Sequence, residues 1–145
     1  PMAIGPYAGQ RETTVWEAGL AGVTEVASCP KVVVKVGGCG MPTYGFGFEN
    51  GDSAPGSVTL AAAWRPYFER LIELFGPSRC MFESNFPVDK VSCGYTNLWN
   101  AFKRVADELG LAGADRNDLF YGTAARAYRM SLSADLSAGI SSPAA

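Results

Sequence analysis

The segment KVVVKVG at residues 31–37 decides how this chain of 145 residues folds. Four valines in so short a run, with Pro30 before them and glycines after them, are typical of a β-strand. Apolar residues on both faces of the strand indicate a parallel sheet that is covered on both sides. Alternation along the strand leaves Lys35 and Gly37 on the face opposite three of the valines.

A second buried strand is predicted at residues 79–86, RCMFESNF, where Pro87 ends it. Helices alternate with the two strands, because apolar side chains recur at helical spacing in four segments: residues 13–28, 60–75, 96–109 and 117–130. This order predicts an α/β fold in which right-handed crossovers join parallel strands. Two strands cannot bury both of their apolar faces, so we expect the chain to be part of a larger α/β architecture.

Proline and glycine predict where these elements are interrupted. Pro66 implies that the second helix starts near Arg65 or bends at the proline. Gly122-Thr123 predicts a break in the last helix. Residues 1–10 and 38–57 are predicted to be loops, and the second is long enough for a lid or a binding loop.

The composition is that of one globular domain. Hydrophobic residues make up 48% of the chain, so we expect a domain at residues 1–130 and a disordered tail at 131–145. The formal net charge of −2 argues against nucleic acid as a partner, and no segment is long and apolar enough for a membrane helix. Because no leader sequence is evident, we expect a cytoplasmic protein whose cysteines are thiols.

The sequence has no histidine. Within this chain that absence excludes a Ser-His-Asp triad, a Cys-His dyad and any histidine-ligated metal. The cysteines lack the CxxC spacing of a zinc ribbon; they are Cys29, Cys39, Cys80 and Cys93. We therefore expect the chain to hold no cofactor by itself.

Three segments together resemble the C-terminal part of the amidohydrolase-2 (amidohydrolase-related) family: KVVVKVGGCGM, WRPYFERLIELFGPSRCMFESNFPVD and GTAARAYRM. The resemblance implies an incomplete (β/α)8 TIM barrel, in which residues 31–37 would be strand seven and 79–85 strand eight. It also implies a longer parent hydrolase that cleaves a lactone, amide or similar ester-like bond with activated water. A divalent metal such as zinc would belong to that parent, whose histidine-bearing strands would lie upstream.

The resemblance implies a site at the end of strand eight. Family members commonly read S-D-[FW]-P there, whereas this sequence reads Ser84-Asn85-Phe86-Pro87. An amide cannot accept a proton as a carboxylate does, so Asn85 departs from the family's usual mechanism. Asn85 is a candidate catalytic residue, because active sites of this fold gather at the carboxyl ends of the strands. The alternative is that it only hydrogen-bonds a loop backbone.

Strand alternation adds a charged pair to this site. The faces that carry Val32, Val34, Val36, Cys80 and Phe82 suit the outer helices of a barrel. Lys35 and Glu83 should then face the lumen from neighbouring strands, as a buried ion pair below Asn85. Two roles stay open: a structural salt bridge, or catalysis by Glu83 in place of the missing aspartate, with Lys35 keeping it ionised.

Substrate-binding candidates are Lys35, Gly37, Met41 and Asp89. The glycine-rich residues 37–40 lack the spacing of a phosphate loop, and a rim loop that stays small near substrate explains them better. Asp89 and Lys90 follow strand eight, where they either touch substrate or are simply solvated. The expected partners are a small-molecule substrate and a second copy in a homo-oligomer. Two alternatives to a hydrolase remain: a non-catalytic truncated chain or interaction module that pairs its strand edges, and a nucleotide-binding domain, which the missing phosphate loop argues against.

Overall fold

The structure, a computed structural model, describes residues 7–10 and 13–131. Its α/β order begins with helix α1, strand β1 and helix α2, and continues with strand β2 and three further helices. The bounds are α1 Thr14–Ala27, β1 Val34–Gly37, α2 Ser57–Phe75, β2 Cys80–Glu83, α3 Tyr95–Glu108, α4 Gly113–Asn117 and α5 Thr123–Tyr128. The predicted loop 1–10 lies partly, and the predicted tail 131–145 almost wholly, outside the described residues.

The two strands form a parallel pair, as predicted. Lys35 lies opposite Met81, and Gly37 lies opposite Glu83. Both strands are shorter than the sequence pattern indicates. A turn bond from the Val32 amide to the Cys29 carbonyl occupies the start of the first predicted strand, and Asn85, with φ of 50°, turns the chain away after the second.

The core lies between the sheet and helices α2 and α3. Val36, Cys80 and Phe82 are buried on the helix-facing side, which confirms the predicted orientation of that side. Phe82 stacks on Phe102 of α3, with ring centroids 4.8 Å apart. Burial of such aromatic side chains is the main stabilising contribution to a core of this size.

Arg79 links three elements at the amino end of β2. Its Nε donates to the Phe75 carbonyl at 2.8 Å. Its Nη1 donates to the carbonyls of Ala27 and Cys29, each at 3.0 Å. One guanidinium therefore satisfies carbonyls at the carboxyl ends of both α1 and α2, where a helix leaves them without partners.

Helix α2 starts at Ser57 and continues through Pro66, so the prediction of a start near Arg65 is wrong. Proline removes one backbone donor and leaves the carbonyl four residues earlier without its helical bond. That carbonyl belongs to Ala62, which lies on the exposed side of the helix where water can bond it. The buried stripe on the opposite side holds the helix together across the proline.

The predicted break at Gly122-Thr123 is also wrong. Gly122 has helical dihedrals, φ −63° and ψ −47°, and a π-helical segment, Asp118–Gly122, joins α4 to α5. The Thr123 hydroxyl donates to the Ser78 carbonyl at 3.1 Å rather than capping a helix. This tertiary bond replaces the local cap on which the prediction relied.

Two further expectations concern the state of the cysteines and the absence of a membrane-spanning helix. All four cysteines are thiols; Cys80 and Cys93 are buried, and burial raises the pKa of the Cys80 thiol to about 12 and that of Cys93 to about 11. Among the described residues, no helix combines the length and apolar character needed to cross a bilayer.

Candidate active site

Lys35 and Glu83 form an ion pair where β1 and β2 end. The Lys35 Nζ lies 3.1 Å from the Glu83 Oε2, so the predicted pairing is confirmed. The side chains are 53% and 26% exposed, and their predicted position in a barrel lumen stays a prediction, because two strands do not enclose a lumen. The hydrogen bond to Glu83, followed by its charge, raises the pKa of Lys35. A pair this accessible contributes less than about 1 kcal/mol to stability.

Asn85 and Asp89 form a second pair beside the first. The Asn85 Nδ2 donates to the Asp89 Oδ1 at 2.9 Å, so Asn85 bonds a side chain as well as its loop. Asp89 is fully buried, and its Oδ2 has no hydrogen-bond partner. The interpretation of Asp89 as a solvated rim residue is therefore wrong. Burial raises the pKa of Asp89, while the bonds from Asn85 and from the Gly40 backbone act in the opposite direction.

At the end of β1 and just after it, only glycine fits, because the end of β2 and the residues that follow it pack against the backbone there. A Cβ on Gly37 would collide with the Glu83 carbonyl oxygen, and one on Gly40 would lie 2.7 Å from the Asp89 Cβ and Cγ. Gly38 has φ of 73° and lies against Met41, whose Cε would be 3.6 Å from an added Cβ. Contact between the two loops explains the glycines, rather than clearance for substrate as the sequence suggests.

Replacing Gly37 by alanine is expected to lower the free energy of unfolding by about 2–3 kcal/mol, because the backbone of β2 must shift to admit the methyl group. The matched control is Gly22→Ala in α1, where an added Cβ has no neighbour within 4 Å. That change should raise stability by up to about 1 kcal/mol. Urea unfolding followed by circular dichroism measures both, and equal effects in the two variants would contradict the packing argument.

An apolar cavity of about 270 Å³ opens beside the ion pair. It lies between α1, α2 and the end of β1, and its wall includes Trp16, Tyr67 and Phe46 as well as Lys35. The Trp16 and Tyr67 rings meet edge to face with centroids 4.9 Å apart. The sequence does not predict this cavity. It shows that the long loop contains aromatic residues, but the contact of those residues with α1 and α2 depends on tertiary packing.

The described residues do not fit a metal centre by themselves. No group of three or more metal-ligating side chains occurs in this part of the chain. Glu83 is already bound to the Lys35 ammonium, whose positive charge would repel a divalent cation. Carboxylates suit hard cations only when several oxygen ligands converge.

Asp89 should make stability depend on pH. Its pKa is raised above the ordinary value of 3.8, so the folded chain binds this proton more tightly than the unfolded chain. The free energy of unfolding should then fall as pH rises from about 3.8 through the folded pKa, by at most about 1.4 kcal/mol per pH unit.

Asp89→Asn removes this titration, so the variant should gain stability relative to the parent as pH rises over that window. Thermal unfolding of both proteins between about pH 4 and 7 measures the difference. Glu83 is the charged neighbour that adds to the effect, and Glu83→Gln should reduce it. A stability difference that does not change with pH would contradict the prediction.

Comparison with known proteins shows which family this chain is similar to. Residues 13–130 match the family model described as amidohydrolase. An uncharacterized protein, y4mH, of Sinorhizobium fredii is 37% identical over 72% of this chain and 30% of its own length. An L-fucono-1,5-lactonase of Burkholderia multivorans is 32% identical over 86% of this chain and 40% of its own.

Solved structures agree with this assignment. The crystal structure of an amidohydrolase from Burkholderia multivorans with bound HEPES is 30% identical, with a TM-score of 0.68 over 81% of this chain and 38% of that one. A structure with bound zinc has a TM-score of 0.64 at 30% identity, over 77% of this chain and 37% of that one. The chain thus spans well under half the length of the proteins it matches.

Proposed function

Since the chain belongs to the amidohydrolase family, we propose that it contributes the last two strands of a (β/α)8 barrel hydrolase acting on a lactone or similar ester-like bond. The observation that carries this proposal is the cluster of Lys35, Glu83 and Asn85 at the carboxyl ends of two neighbouring parallel strands. In barrel enzymes that end of the sheet holds the active site. The lactonase similarity over 86% of the chain supports the substrate class.

Glu83 is the group in this cluster that can take a proton from water. Asn85 stands at the strand-eight position proposed above, but its amide can only orient a hydrogen-bond partner. The Glu83 carboxylate is partly accessible, and the Lys35 Nζ holds its Oε2 at 3.1 Å. A water between Glu83 and a lactone carbonyl would lose its proton to Glu83 as its oxygen attacks the carbonyl carbon. When the ring C–O bond then breaks, the Glu83 carboxyl would return that proton to the departing ring oxygen, which yields the open hydroxy acid.

Besides holding Glu83, Lys35 would stabilise the negative charge that develops on the substrate. Attack by water places negative charge on the carbonyl oxygen, and an ammonium close to it stabilises that charge. The other groups that the reaction needs would come from the remaining strands of a complete barrel. A divalent metal such as zinc would likewise depend on ligands from those strands.

The test measures hydrolysis of L-fucono-1,5-lactone by the protein as its gene encodes it, with the release of acid as the readout. The proposal predicts saturable ring opening that falls at least about 10-fold in Lys35→Met. The control Lys103→Met changes an exposed lysine on α3 and should leave the rate unaltered. Folded protein that opens neither this lactone nor a simple aliphatic lactone would overturn the assignment.

A non-catalytic interaction module is the second candidate, and one observation favours it. Val33 is 42% exposed and lies in an apolar groove with Val26, also exposed, beside β1. An exposed strand edge with apolar residues beside it pairs readily with another chain. Light scattering after size-exclusion chromatography distinguishes the two: a dimer that Val33→Lys dissociates, without any lactone hydrolysis, would support the module.

A further inference from the structure

The apolar cavity between α1, α2 and the end of β1 adjoins the ion pair of the proposed site. Lys35 and Gly37 of β1 both belong to its wall. The Lys35 Nζ contacts the Glu83 carboxylate, and a Cβ on Gly37 would lie 2.8 Å from the Glu83 Cγ. A molecule whose carbonyl lies at this ion pair therefore has the cavity directly next to it.

Tyr44, from the long loop after β1, contributes to the same wall. Burial raises the pKa of the Tyr44 hydroxyl. Negative charge on Cys39, Asp89 and Glu83 raises that pKa further, and such charge effects act over short distances. The hydroxyl consequently stays uncharged at neutral pH, so this side of the cavity carries no anion from the tyrosine.

Most of the wall is aromatic or aliphatic. It includes Trp16, Leu20, Val23, Phe46, Tyr67 and Leu71. Among the described residues that line the cavity, none has a carboxylate, a carboxamide or an aliphatic hydroxyl in its side chain. The two charged residues of the wall, Lys35 and Arg70, are each paired with a glutamate, at 3.1 and 2.9 Å. A polar substituent would lose its hydrogen bonds to water in this cavity, whereas an apolar one has none to lose.

The cavity has room for a ring or a short chain. Its volume is about 270 Å³, and an apolar cavity of about 150 Å³ already takes up benzene. Part of the space lies beside Gly19 of α1, where an added Cβ would have no neighbour within 4 Å. Glycine weakens a helix relative to alanine, and packing within the described residues does not require it at this position. A ligand can fill the space that Gly19 leaves.

We propose that this cavity is a binding site for an apolar ring or short alkyl chain, carried by the lactone or ester whose carbonyl lies at Lys35 and Glu83. The inference rests on the proposed hydrolysis and names its substrate class as lactones with an apolar substituent. Because Lys35 belongs to both the ion pair and the cavity wall, the substituent and the reacting carbonyl are parts of one molecule. Each methylene group that moves from water into such a cavity strengthens binding about 4-fold.

Ring-opening kinetics of two lactones test the substrate class. δ-Nonalactone differs from δ-valerolactone by a butyl chain on the ring. In the protein as its gene encodes it, kcat/KM for δ-nonalactone should be at least about 30-fold higher. A kcat/KM for δ-valerolactone or L-fucono-1,5-lactone that equals or exceeds that for δ-nonalactone would overturn the inference and leave the proposed hydrolysis in place.

Gly19→Leu tests whether the cavity causes this preference. The leucine side chain occupies space beside the helix, so the preference for δ-nonalactone over δ-valerolactone should fall at least about 10-fold. Gly22→Leu is the matched control, because it adds the same side chain to α1 where a Cβ also has no neighbour, at a position outside the cavity wall. It should leave the preference unaltered. The same preference in both variants would contradict binding in the cavity.

A binding measurement separates this inference from the proposed function. The fluorine resonance of fluorobenzene should show saturable binding to the unaltered protein and to Gly22→Leu, and at least about 10-fold weaker binding to Gly19→Leu. Absence of binding to the folded, unaltered protein would overturn the inference even if lactones are hydrolysed. Binding that Gly19→Leu abolishes, in a protein that opens no lactone, would keep the apolar site and remove the lactone function.

Discussion

Replacing Arg79 by methionine is expected to lower the free energy of unfolding by about 3 kcal/mol. The guanidinium donates to carbonyls of Phe75, Ala27 and Cys29 at 2.8–3.0 Å. Hydrogen bonds from a charged donor are worth about 1.5–3 kcal/mol, and their loss takes this partner from the Phe75 and Ala27 carbonyls at the ends of two helices. Urea unfolding at neutral pH measures the change.

Two further variants make this prediction specific. Arg79→Lys keeps the charge but not the planar fork, so it should recover only part of the lost stability. Arg70→Met removes an exposed arginine whose bond is to Glu73 on the same helix and should cost less than about 0.5 kcal/mol. Equal losses in Arg79→Met and Arg70→Met would show that Arg79 does not join the helices.

Glu83→Gln is expected to lower kcat for lactone hydrolysis by about 10²–10⁴-fold, the usual contribution of a general base. Glutamine has nearly the same shape and can still contact Lys35, but it cannot take a proton from water. Because the ion pair with Lys35 is partly exposed, stability should change by less than about 1 kcal/mol. Steady-state kinetics and thermal unfolding of one preparation measure both quantities.

Glu73→Gln provides the matched control, since Glu73 is an exposed carboxylate on α2. It should leave kcat unchanged. A folded Glu83→Gln protein that keeps full activity would assign Glu83 and Lys35 to a structural salt bridge, the other role that the sequence leaves open. Complete loss of soluble Glu83→Gln protein would likewise contradict the catalytic assignment.

The parallel pair of strands could be predicted because its signals are local. Alternation in residues 31–37 identifies the helix-facing valines, and the same periodicity in β2 places Lys35 and Glu83 together. The exposure of Lys35 could not be predicted in this way. It depends on how many strands cover that face, which is a property of the whole sheet rather than of the segment.

The rest of the site depends on contacts between distant residues. Nothing in the residues around Asp89 indicates that Gly40 packs against its side chain, and a charged residue after a proline-containing loop is ordinarily solvated. Gly122 shows the same limitation in a helix, because the bond from Thr123 to Ser78 joins residues 45 positions apart. Local propensity is overridden wherever such a tertiary bond satisfies the backbone.

The bonds of Arg79 also set an order of events during synthesis. Arg79 is 52 residues beyond Ala27 and 50 beyond Cys29, so the carboxyl end of α1 remains open until the ribosome has released the start of β2. Long-range closures of this kind are slow relative to helix formation. The emerging chain thus passes through an interval in which the residues of α1 and α2 have both been synthesised without the residue that joins their carboxyl ends.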